Sequence, residues 1–96
     1  MLEAALKECR IRGIAAAEAE KAYRVKLAEQ ILKLRDEKVP VSIINDVARG
    51  NPEVAKLKFE RDCAEVVYDN AKEASLVYRK QIEVLRDQID REWKNA

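Results

Sequence analysis

Between Pro52 and Trp93 one seam recurs at alternating steps of three and four residues: Val54, Leu57, Arg61, Ala64, Tyr68, Ala71, Ser75, Tyr78, Ile82, Leu85, Ile89 and Glu92. This is the period of a helix laid against another helix. No glycine or proline interrupts the run after Pro52, so it predicts one helix over 52–94, roughly 60 Å long at 1.5 Å per residue. A rod of that length does not hold its shape alone in water, and its seam must be covered.

The first part of the chain supplies the cover. Leu2, Leu6, Cys9, Gly13, Ala16, Tyr23, Leu27 and Leu34 follow the same steps, with Glu20 and Gln30 at polar steps, and predict a helix over 2–38. Val39-Pro40 stops it, because proline disfavours helical geometry in the residue before it. Ser42 is placed to cap a short helix over 42–49, with Ile43, Ile44 and Val47 as its apolar side and Gly50 at its end. Asn51-Pro52-Glu53 then reads as N-cap, first-turn proline and first-turn acid of the last helix.

So short a connection returns the last helix antiparallel to the first. With Leu34 opposite Leu57, the layers would be Leu27–Ala64, Tyr23–Tyr68, Ala16–Ser75, Gly13–Tyr78 and Leu6–Leu85, and Gly13 would make room for the Tyr78 ring. The fold class read from the pattern is therefore all-α, an antiparallel, coiled-coil-like helical hairpin with a short connecting helix, forming a single domain over residues 1–96. A second stripe on the last helix, Phe59, Cys63, Val66, Ala74, Val77 and Val84, stays outside the hairpin seam, as do Ile11, Ile14, Val25 and Leu32 on the first. A two-helix unit has little core of its own. Self-association follows, most simply a homodimer whose two hairpins form a four-helix bundle, with a different protein able to satisfy the same residues. Phe59, Val66, Val77 and Val84 are the interface candidates, joined by Trp93, which either covers Leu2 or anchors a partner.

Composition sharpens this picture. Charged residues make up 39% of the chain and aromatic residues 5%, with two glycines and two prolines, a balance typical of long helices. Nineteen basic residues nearly cancel eighteen acidic ones, so no global field pulls the chain toward nucleic acid or an anionic membrane. No apolar run is long enough to span a bilayer and no signal-peptide pattern is present; the chain reads as soluble and cytoplasmic. Cys9 and Cys63 form no framework or Cys-x-x-Cys pair and read as small buried apolar residues.

Candidate chemistry is sparse. Without a histidine there is no Ser-His or Cys-His pair and no Glu-x-x-His metal set, and without a glycine-rich loop there is no phosphate cradle. The chain reads as no enzyme, with no cofactor and no small-molecule substrate. Asp62, Glu65 and Asp69 share a helix face and read as solvated carboxylates partnered by Lys58, Arg61 and Lys72. Arg61 interrupts the seam, its stem expected along the groove and its guanidinium expected in water past Leu34, near Glu65 or Glu37. Asp46 and Arg49 in the connecting turn are partner-binding candidates, or else a local ion pair or caps on helix ends. Folding the hairpin in the register above would gather Lys7, Arg10 and Arg12 near Arg79, Lys80 and Arg86, a track that could follow a phosphate backbone. Glu8 and Glu83 interleave it, and no aromatic platform accompanies it.

The stretches Tyr23-Arg24-Val25-Lys26-Leu27-Ala28, Leu32-Lys33-Leu34-Arg35, Val39-Pro40-Val41 and Asp46-Val47-Ala48-Arg49-Gly50-Asn51 resemble a family of small uncharacterised helical phage and prophage proteins. So do Val54-Ala55-Lys56-Leu57-Lys58, Arg61-Asp62-Cys63-Ala64-Glu65 and Gln88-Ile89-Asp90-Arg91-Glu92-Trp93. The resemblance implies a viral origin, a bacterial cytoplasm and no catalytic residues. It points to an accessory protein that binds or inhibits a bacterial protein. The alternative is a nucleic-acid-binding accessory factor in phage recombination or replication, using the basic track.

Overall fold

The computed structural model describes residues 1–95. Three helices account for nearly all of them: α1 (Leu2–Asp36), α2 (Val41–Arg49) and α3 (Pro52–Asn95). The described residues contain no strand, so the chain is all-α. The molecule is a rod, 80 Å long and 23 × 15 Å in section.

The α1 seam apart from Leu6, which is exposed, and the α3 seam as far as Tyr78 lie where their periodicity puts them. On α3, Val54 and Ser75 are buried and Leu57, Arg61, Ala64, Tyr68, Ala71 and Tyr78 are half-buried. On α1, Ala16 and Tyr23 are buried, and Leu2, Cys9, Gly13, Glu20, Leu27, Gln30 and Leu34 are half-buried. The two helices pack side by side in opposite directions, with Gly13 against Tyr68, Glu20 against Arg61 and Lys26 against Glu53.

The register differs from the expected one by ten residues, or about 15 Å. The ring over Gly13 belongs to Tyr68 and not to Tyr78; Tyr78 instead lines a groove with Met1, Ala4, Ala5 and Glu8. The cause is α2. It does not merely bridge two helix ends but packs along α1, with only slight contact to α3. Its buried residues are Ile44 and Ala48, whereas Ile43 and Val47 are largely exposed. By covering the end of α1 it moves the start of α3 down to Lys26, whose Nζ lies 2.8 Å from Glu53 Oε2. In consequence Ile82, Leu85 and Ile89, expected under α1, are exposed. Every residue of α3 from Arg79 to Asn95 is exposed, so this segment forms an overhang.

The junctions also differ in detail. The first helix ends in a Schellman motif: Val39 N–H donates to the Leu34 carbonyl and Lys38 N–H to the Arg35 carbonyl, both at 3.0 Å. The left-handed residue this requires is Lys38, at φ 62°. Gly50, expected to fill such a role for α2, is at φ −77° in right-handed geometry. Ser42 lies inside α2, whose N-cap is Pro40. Asn51 caps α3 as expected, its Oδ1 accepting from the Glu53 N–H at 2.9 Å and the Val54 N–H at 3.3 Å.

Candidate interaction surface

The seam between α1 and α3 contains one polar cluster. Arg61 projects from α3 across the groove and sets its guanidinium carbon 4.6 Å from the centroid of the buried Tyr23 ring. Its nitrogens lie 2.8 Å from Asp62, 3.4 Å from Glu20 and 4.0 Å from Glu65. Glu20 also accepts from Arg24 at 2.7 Å. Glu65 is thus an Arg61 partner as expected, but the cross-helix carboxylate is Glu20, not Glu37, and the neighbour is Tyr23, not Leu34. The hydrogen bond from Arg24 holds the Glu20 carboxyl below its ordinary range, with Arg61 adding to the effect. The hydrogen bond to Asp62 raises Arg61 in turn. A charge in a seam is satisfied by few alignments, so this cluster favours one register over its neighbours.

Two further charge pairs flank it. Lys26 is raised and Glu53 lowered, each chiefly by the hydrogen bond between them. Lys72 is raised chiefly by its hydrogen bond with Asp69, at 3.1 Å, and its ammonium lies 4.4 Å from the Tyr68 ring centroid. Asp62, Glu65 and Asp69 are therefore each beside a cation, which is how a solvated carboxylate face behaves. No group of three or more acidic or cysteine side chains among the described residues could hold a metal ion. Cys9 is half-buried, but Cys63 is exposed, contrary to its reading as a buried residue.

The register decides what happens to the other candidates. Lys7, Arg10, Arg12, Arg79, Lys80 and Arg86 are all exposed, but they do not form one track. Tyr78 is beside the first turns of α1, so Arg79 and Lys80 fall at the start of that helix. Arg86 lies beyond it, on the overhang. Arg12 is occupied by Glu8, at 2.6 Å. Asp46 and Arg49 are exposed and, among the described residues, take part in no ion pair, so the local pair expected of them does not form.

Phe59, Val66, Val77 and Val84 are each more than half exposed. Their spacings of seven and eleven residues keep them within about 20° of one another around α3, at 100° per residue. They line up over about 38 Å as two apolar pairs, Phe59–Val66 and Val77–Val84, with the exposed Asn70 and Glu73 between them, on the side of α3 turned away from the seam. Trp93 is 78% exposed and does not cover Leu2. Nor does it belong to the stripe: nine residues from Val84, it points to the opposite side, near Ile82 and Ile89. Ile82, Leu85 and Ile89 were missed as surface residues. The signal that could have found them is the amphipathic pattern of residues 41–49, which announces a helix needing cover from α1.

No helix among the described residues is long and apolar enough to cross a membrane. No family model, curated protein or solved structure matches the chain.

Proposed function

We propose that the protein is a non-enzymatic interaction module, a phage-type accessory protein of the bacterial cytoplasm that binds or inhibits a bacterial protein through the outer face of α3. The observation that carries this reading is the stripe Phe59–Val66–Val77–Val84, aligned within about 20° and open to solvent over its length. Exposed apolar residues aligned on one helix face mark sites of protein association. It presents itself along one helix face, at i, i+7, i+18 and i+25, the form in which apolar anchors fill a groove or a second helix. The resemblance of Tyr23–Arg35 and Val39–Asn51 to phage proteins supplies the setting. Side-by-side pairing of two chains into a four-helix bundle is the competing use of the same stripe.

Immobilised protein exposed to bacterial lysate should retain a defined protein that a Phe59→Glu/Val77→Glu variant of unchanged helicity releases. Retention of the same protein by that variant would remove the stripe from the mechanism. Capture unaffected by the stripe but abolished at Asp46 and Arg49 would move the binding surface to the connecting turn.

A further inference from the structure

We propose that the overhang of α3 is completed by the same segment of a second copy, paired antiparallel, tail to tail, about a two-fold axis near Asp87. The seam that α1 covers as far as Tyr78 does not stop there. Ile82, Leu85 and Ile89 continue it in step, with exposures of 38%, 58% and 54%. Trp93 lies on the same side.

The extent of uncovered surface points to a pair. The chain exposes 7750 Å², whereas a compact monomer of 11.0 kDa exposes about 5,600 Å². The surplus, about 2,000 Å² per chain, is spread along the whole rod, and the overhang carries the part of it that continues the seam.

Sterics select the direction. The first turns of α1 already rest against Ala71, Ala74 and Tyr78. A second α3 lying parallel on the Ile82–Ile89 seam would run straight into α1. An antiparallel one leaves the other way and continues the line of α1. Alignment about Asp87 sets Leu85 against Ile89 of the copy, and the reverse, at the centre of the pair.

Charge agrees with this direction. The cations Arg79 and Arg86 lie in the first half of the overhang, together with Glu83, and the anions Asp90 and Glu92 lie in the second. Antiparallel pairing sets Arg79 near the copy's Trp93, a cation–π contact, and Arg86 within a turn of the copy's Asp90. The adverse contacts are Arg86 with its own counterpart beside the two-fold axis and Glu83 with the copy's Asp90. This surface is distinct from the Phe59–Val84 stripe, which remains open in the pair.

Sedimentation equilibrium should give twice the chain mass at micromolar concentration. Ile89→Asp should raise the dissociation constant about 100-fold or more, since two buried side chains are lost per pair, while the helicity of α1 and of α3 up to Tyr78 stays unchanged, because Ile89 lies beyond the segment that α1 covers. Arg86→Gln should tighten the pair. In a Cys9→Ala/Cys63→Ala background, mixed Leu85→Cys and Ile89→Cys chains should cross-link chiefly to each other on mild oxidation. A monomeric wild type, a dimer split by Val66→Asp but not by Ile89→Asp, or a majority of Leu85–Leu85 position cross-links would each overturn the proposal. Because these variants leave the stripe intact, failure of the pairing and failure of partner capture are read separately.

Discussion

Gly13 lies directly under the ring of Tyr68. A β-carbon at position 13 would sit 3.1 Å from Tyr68 Cε1 and 3.2 Å from Cζ. A mid-helix glycine costs about 1 kcal/mol relative to alanine, so its presence here is explained by close approach rather than by backbone geometry. Gly13→Ala should therefore change stability little, the helix gain being offset by the crowded ring. In a Tyr68→Ala background the same substitution should stabilise by about 1 kcal/mol. Gly13→Val should destabilise by about 1–3 kcal/mol. Denaturant titrations of the four corners of the cycle check this. Coupling of Gly13 to Tyr78 with none to Tyr68 would mean that the register is wrong.

The two junction residues make opposite predictions. Lys38 carries the left-handed turn at φ 62°, which strains a residue with a β-carbon. Lys38→Gly should stabilise by about 0.5–1 kcal/mol, and Lys38→Val should destabilise. Gly50, at φ −77°, has no need of glycine's freedom, and an added β-carbon meets only carbonyl oxygens at 3.5 Å. Gly50→Ala should stabilise by about 0.4–1 kcal/mol, through the unfolded chain. A fall in melting temperature on either Lys38→Gly or Gly50→Ala would contradict the junction geometry.

These positions show what could be read in the sequence and what could not. The side of each helix that faces the other followed from the spacing alone, down to Arg61, Glu20 and Gln30 at seam positions. The alignment of the helices did not, because a slide of ten residues carries one seam position onto another and leaves the pattern satisfied. What breaks that degeneracy is three-dimensional: α2 lying along α1, and Arg61 finding Glu20 and Tyr23. The principle that glycine makes room for a tyrosine was sound; the tyrosine was the wrong one. Lys38 was unreadable for a related reason. Glycine is the usual mark of a left-handed turn, and here the turn falls on a lysine. Among the proposed sites, the Phe59–Val84 stripe needed only periodicity and was legible, whereas the basic track needed the register and dissolved with it.

Acid should unfold the protein in a way traceable to two carboxylates. Glu20 and Glu53 are both held below their ordinary value of 4.5, Glu20 first by Arg24 and Glu53 first by Lys26. A lowered folded-state value gives stability that is fully present above the unfolded value and is lost as pH falls through the folded one. Lys26 and Lys72 are raised above 10.5, so their contribution is complete below that value and is lost as pH rises through the folded one. With no histidine in the chain, melting temperature should be nearly flat from about pH 6 to 9 and fall below 4.5. Glu53→Gln and Glu20→Gln should lower the plateau and flatten the acid limb. An acid limb unchanged in both variants would assign it to other groups.

The packing of α2 is the last point on which the register depends, and it can be tested with two adjacent residues. Ile44 is 3% exposed and its neighbour Ile43 is 46% exposed. Were α2 only a bridge between helix ends, the two would differ little. Because it lies along α1 by its Ile44–Ala48 side, Ile44→Ala should cost about 2–4 kcal/mol and Ile43→Ala under about 1 kcal/mol. Amide exchange should report the same event locally. In Ile44→Ala the last turns of α1 should exchange faster, while the amides around Tyr68 and Gly13 stay protected, because α3 holds that part of α1 directly. Equal losses from the two alanine variants would detach α2 from α1 and remove the physical reason for the ten-residue displacement.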